Sequence, residues 1–186
     1  MKNLILIALA VCVLGVSNVN GQDYRKFKFG TGMLYAVPTG EGAGGGIGFY
    51  MEPKLNLNNK FDVGFLMEWA LMVQNIEGTS SSISGCSTYS LTGDYMMGKG
   101  KIRPFVGTGL GFYRLGSVDV SIEGQQVTNG DVDLGSKFGF SPRIGINFSH
   151  FQMMLQYHAI MGQESLINKN YLGIKIGVEF GGGLKK

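Results

Sequence analysis

Apolar and polar side chains alternate with a period of two along most of the chain from residue 26 onward. That period is the signature of β-strands whose two faces meet different surroundings. The clearest instance is FDVGFLMEWALMV (61–73), where every odd position is apolar while Asp62 and Glu68 occupy even ones. Eight such runs follow one another. In KFKFGTGMLYAVP (26–38), Phe27, Phe29, Met33, Tyr35 and Val37 share a face opposite Lys28, Gly30 and Gly32. GIGFYMEPKLNL (46–57) sets Ile47, Phe49, Met51 and Leu55 against Gly48, Tyr50, Glu52 and Lys54. After 61–73 comes TYSLTGDYMM (88–97), with Tyr89, Leu91 and Tyr95 opposite Ser90, Thr92 and Asp94. KIRPFVGTGLGFYR (101–114) opposes Ile102, Val106, Leu110 and Phe112 to Arg103, Phe105 and three glycines. KFGFSPRIGINF (137–148) places Phe138, Phe140, Ile144, Ile146 and Phe148 opposite Ser141, Arg143 and Asn147. FQMMLQYHAIM (151–161) sets Phe151, Met153, Leu155 and Tyr157 against Gln152, Gln156 and His158. YLGIKIGVEF (171–180) sets Leu172, Ile174, Ile176, Val178 and Phe180 against Lys175 and Glu179.

A soluble sandwich could use such faces as well as a membrane barrel, and the connections separate the two. In order they span about 8, 3, 15, 4, 20, 2 and 9 residues, so long and short alternate. Outer-membrane barrels join their strands by short periplasmic turns and long extracellular loops, whereas a sandwich with Greek-key crossings has no reason to alternate. The runs also exceed the usual 5 or 6 residues of soluble strands and reach the roughly 9–11 needed to cross a bilayer at a tilt. The expected fold is all-β: an eight-stranded antiparallel up-and-down transmembrane β-barrel, in the bacterial outer membrane, with both termini periplasmic. Aromatics near the ends of the apolar faces suggest two interfacial girdles. Phe61, Tyr95, Phe148, Phe151 and Phe180 lie on the short-turn side, and Tyr89, Phe112 and Phe138 on the loop side.

Composition adds three points. MKNLILIALAVCVLGVSNVNG has a lysine near its start, an apolar run from Leu4 to Val16 and a small-residue end, so residues 1–21 read as a secretory signal and 22–186 as the barrel domain. Cys12 leaves with that leader, so no intrachain disulfide is expected for Cys86. The formal charge of +3, one less once Lys2 is removed, is too balanced for a nucleic-acid partner. The 31 glycines call for a structural cause, and many fall on the inward face. Side chains crowd the inside of a small curved barrel, and glycine relieves them.

RPFVGTGLGFYR, Arg103 to Arg114, resembles a stretch common in small outer-membrane barrels, a Pro-aromatic pair leading into alternating glycines and an aromatic. With the leader, the eight runs and the closing strand YLGIKIGVEF, the chain resembles the porin-like outer-membrane β-barrel superfamily of OmpX, OmpW and opacity-type proteins. The resemblance implies the fold and, through OmpW, a transport module for small solutes as one possible function.

The inward positions gather five acids, Glu52, Asp62, Glu68, Asp94 and Glu179, and five bases, Lys28, Lys54, Arg103, Arg143 and Lys175. An eight-stranded barrel is just wide enough for side chains to fill, so these groups are expected to pair across the interior, Glu68 and Asp94 with Arg103 or Arg143. His158 beside Gln156 is the one position with a flavour of lipid-modifying chemistry, and its plainer reading is an inward polar residue. GEGAGG (40–45) fits the string of a dinucleotide loop but no helix follows, so it reads as an external loop. The acids Asp119, Glu123, Asp131 and Asp133 in the long loop match no EF-hand spacing. No catalytic residue, metal or cofactor is assigned. The leading expectation is a structural or interaction protein displaying loops for adhesion, envelope integrity or docking. Its partners would be outer-membrane lipid and lipopolysaccharide, and through the loops another outer-membrane protein or a surface ligand. The alternatives are a narrow channel for small solutes, with Met96, Met154, Leu34, Leu66, Ile160 and Phe105 lining an apolar pocket, and a lipid-modifying enzyme.

Overall fold

The structure, a computed structural model, describes residues 25–39, 43–76, 80–98, 100–121, 132–162 and 170–182. Residues 1–21, read as the leader, lie outside them, as do the tips of several connections. Eight strands follow in order: β1 (Phe27–Pro38), β2 (Ala43–Asn56), β3 (Phe61–Ile76), β4 (Ser80–Met96), β5 (Ile102–Ser121), β6 (Val132–Phe148), β7 (Phe151–Ile160) and β8 (Tyr171–Gly181). Each pairs antiparallel with its sequence neighbours. Pairing of β1 with β8, from Lys28 opposite Gly181 to Pro38 opposite Tyr171, closes the barrel. Closure gives every strand a neighbour on both sides, which is the condition for β-structure in hydrocarbon.

The period-two pattern maps onto the two sides of this wall. Along β7, burial alternates strictly through the first six residues, Phe151, Met153 and Leu155 exposed and Gln152, Met154 and Gln156 buried. The outer belt is apolar and bare: Met33, Ile47, Leu71, Leu91, Leu110, Ile144 and Ile176 all expose more than half their surface. The buried set, by contrast, is rich in polar and charged side chains, an inversion of the soluble rule that buries grease and exposes charge.

One expectation is corrected. The stretch between the third and fourth runs, read as a connection of about 15 residues, is mostly strand. β3 continues to Ile76 and β4 begins at Ser80, with Ile76 opposite Ser80 and the ladder unbroken to Phe61 opposite Tyr95. On its other side the same serine-rich segment pairs with β5, Ser80 opposite Ser121. Backbone pairing on both flanks holds it in place, so it needs no apolar alternation of its own. The segment 40–45 is likewise only partly a loop, because Ala43 already opens β2. The short turns are as expected: 57–60 joins β2 to β3, and Ser149–His150 joins β6 to β7 with Ser149 at φ 55°, the left-handed geometry tight hairpins require.

Candidate functional site

The candidate site is the barrel interior. All ten charged residues assigned inward are buried, together with His158. They form two clusters and one outlying latch. In the larger cluster Arg143 is the centre. Its Nε and Nη2 donate to Oδ1 and Oδ2 of Asp94, each at 2.7 Å, and its Nη1 lies 2.7 Å from Glu52 Oε1. This forked geometry suits guanidinium and carboxylate planes. Lys54 Nζ sits among three carboxylates, 3.1 Å from Glu52, 3.2 Å from Asp94 and 3.4 Å from Glu179. Lys28 extends the chain, 2.6 Å from Asp62 and 3.6 Å from Glu179. Neutral donors occupy further lone pairs: Thr92 donates to Glu52 at 2.7 Å, Asn147 and Gln152 to Glu179 at 2.8 and 3.1 Å.

The second cluster lies nearer the loop end. Lys175 Nζ donates to Glu68 Oε2 and, at 2.7 Å, to Gln156. Tyr171 donates to Glu68 Oε1 at 2.6 Å, and His158 Nε2 lies 3.4 Å from the same oxygen. The His158 ring stacks on Tyr171 with centroids 4.2 Å apart, and its Nδ1 shares a hydrogen bond with Tyr113 at 3.1 Å. Above this layer Leu34, Ala36, Ala70, Met72, Cys86, Leu115 and Ile160 pack as an apolar cluster with Tyr113 and Tyr171.

Two expected pairings differ. Asp94 takes Arg143, and Glu68 takes Lys175 instead of either arginine. Arg103 joins neither acid; its Nη2 donates to the carbonyl of Asn59 at 2.6 Å, tying β5 to the turn between β2 and β3. Pairing across the lumen depends on the relative height of strands that are not neighbours, and sequence parity is silent about height. Tyr113 and Tyr171 carried no assignment in the sequence, although both fall on inward positions. The apolar residues offered as a pocket lining divide instead: Met96, Phe105 and Met154 pack on one another, while Leu34 and Ile160 belong to the loop-end cluster.

Glycines make room for this filling. A Cβ on Gly64 would lie 2.7 Å from Thr92 Oγ1 and 2.9 Å from Lys54 Cγ, and one on Gly139 would lie 2.8 Å from the Tyr113 ring. At the short-turn end the lumen widens to a recess of about 230 Å³ lined by Lys28, Arg103, Asn147, His150 and Glu179, among others. Farther in, Glu52, Glu68, Gln152, Gln156 and His158 have no accessible surface.

On the outer wall, Phe61, Phe112, Phe138, Phe148, Phe151 and Phe180 each expose about half their surface or more, Tyr95 somewhat less, and Tyr89 is half-buried. Phe61 packs on Tyr95 at 5.0 Å and Phe112 on Phe138 at 5.8 Å. Phe49 and Trp69, not assigned to a girdle, stack at 4.8 Å, with Tyr89 edge-on to Trp69. Their odd-position parity was the signal that could have found them.

A closed all-antiparallel eight-strand wall, greasy outside and ionic inside, matches solved membrane proteins. The fold is that of the small outer-membrane β-barrels. Neisserial surface protein A superposes with a TM-score of 0.59 at 12% identity, covering 84% of this chain and 97% of the other. The outer membrane protein OprG from Pseudomonas aeruginosa does so with a TM-score of 0.51 at 14% identity, covering 88% and 100%. The sequence matches no family model and no curated protein. At these identities the outer-membrane barrel fold is what this chain shares with the two.

Proposed function

We propose that this outer-membrane barrel is a closed anchor in the bacterial outer membrane, with its termini and short turns periplasmic, that presents its loop end to the surroundings as a structural or interaction module. The single observation that carries this reading is the sealed interior. Tyr50, Glu52, Leu66, Glu68, Gln152, Gln156 and His158, contributed by three strands, have no surface that a water molecule reaches. A conducting path needs hydrated side chains along its length, and an eight-stranded barrel has no spare diameter once such residues fill it. The ten ionic side chains serve as filler that holds the wall together. The aromatic side chains Phe61, Tyr95, Phe148, Phe151 and Phe180 sit at one lipid interface, and Tyr89, Phe112 and Phe138 at the other.

Lipid-modifying catalysis fits poorly, because His158 is enclosed by Tyr113, Tyr171 and Glu68 and no substrate reaches it. The partners consistent with this reading are the lipid and lipopolysaccharide around the barrel and a surface ligand or second outer-membrane protein met by the loops. Planar-bilayer recording of the refolded protein tests it: no stable conductance is expected. Long-lived open channels would overturn the closed-anchor reading in favour of solute transport.

A further inference from the structure

We propose that the short-turn end of the barrel holds one anionic phospholipid, its phosphate among surface lysines and arginine and one acyl chain in a groove of the outer wall over Gly93. The inference rests on the membrane reading above. The groove has a volume of about 640 Å³ and lies across β3, β4 and β5, walled by Phe61, Val63, Tyr95, Val106 and Thr108 with Asn58 at its end; Asp62 and Asp94 also line it but are themselves buried. Its floor is Gly93, where an added Cβ would meet nothing within 4 Å. A volume in the range of about 300–1,000 Å³ is that of sites for small organic molecules. Facing hydrocarbon, an apolar slot of this size is suited to a lipid chain.

Charge selects the headgroup. Arg25, Lys26, Lys60 and Lys101 are all exposed at this end of the barrel. Every Asp and Glu whose side chain is described is buried in the lumen: Glu52, Asp62, Glu68, Asp94 and Glu179. Among the described residues the short-turn rim therefore shows cations to the membrane surface and no acid. Lys60 immediately precedes Phe61 of the groove wall. It lies between Asn58 and Phe61, which both line the slot, and its carbonyl accepts the Met96 amide at 2.6 Å where β3 meets β4. A basic rim attracts anionic lipid by roughly a fivefold gain in occupancy per lysine, and the groove converts a diffuse attraction into a place for one molecule.

The test is native mass spectrometry of the full folded chain released from nanodiscs of equal parts phosphatidylcholine and phosphatidylglycerol. One phosphatidylglycerol is expected to be retained in preference to phosphatidylcholine. Lys60→Gln and Lys101→Gln should each lower that retention by roughly fivefold at low salt. Gly93→Leu, which fills the slot, should abolish retention of either lipid while preserving the heat-shifted gel mobility of a folded barrel. Equal retention of the two lipids, or unchanged retention in Gly93→Leu, overturns the proposal. So does a lipid-free dimer, which would give the groove to a second copy. Failure of the chain to enter a bilayer at all would overturn the membrane reading beneath it as well.

Discussion

Replacing Arg143 by methionine probes the interior network at its centre. The side chain keeps much of its reach, while the two bonds to Asp94 and the contact with Glu52, all at 2.7 Å, disappear. Two carboxylates then face one ammonium, Lys54, at 3.1 and 3.2 Å. Bonds involving charged groups contribute about 1.5–3 kcal/mol each, so three of them would suggest roughly 5–9 kcal/mol. Against this, the variant no longer strips water from a guanidinium, and measured losses for one partner of a buried pair settle near 3–5 kcal/mol. We expect Arg143→Met to cost about that much. The paired change Arg143→Met with Asp94→Leu restores the balance of charge, leaving Lys54 with Glu52 and Glu179, and is expected to cost under about 2 kcal/mol, since apolar replacement of a whole buried pair is often neutral. The assay is urea unfolding in lipid vesicles, followed by emission of Trp69, the single tryptophan, which lies on the outer face of β3 away from the network. If Arg143→Met loses less than about 1 kcal/mol, or the double variant is as unstable as the two single changes added together, the ion pairs are not what holds the interior.

Three further expectations share that assay or a simple variant of it. Tyr171→Phe removes the hydroxyl that donates to Glu68 at 2.6 Å and should cost about 1.5–3 kcal/mol; an unchanged midpoint would mean that Lys175 alone satisfies the carboxylate. Gly64→Val pushes a side chain into Thr92 and Lys54, both fixed by hydrogen bonds, and should destabilise by about 1–3 kcal/mol or more; wild-type stability would show that the lumen yields more readily than its packing suggests. Trp69, half-buried against Phe49 on the outer wall, should be quenched by brominated lipid chains. Emission untouched by bromine would place this face against protein instead of lipid.

The interior shows how far one sequence pattern reaches. Parity alone separated the two faces, because a strand puts successive side chains on opposite sides of the wall. It sets Glu52, Glu68 and Lys175, which are buried, apart from Phe49, Trp69 and Ile176 on the other face. It located the tight turns at 57–60 and 149–150, where the alternation breaks. It missed the lower-contrast part of β4, Ser80 to Ser87, since a strand segment held by pairing on both sides has no need of an apolar face.

What the chain's own order determined was the number of strands, the closed antiparallel course and which side chains turn inward, all consequences of a two-residue repeat acting within single strands. Tertiary structure alone decided the partners: that Glu68 meets Lys175 from β8, that Arg143 forks onto Asp94 from β4, that Arg103 latches the turn at Asn59. The reason is geometric. Strand stagger around a closed barrel sets the height at which distant side chains meet, and that stagger is a property of the whole ring of hydrogen-bonded neighbours that no one strand contains.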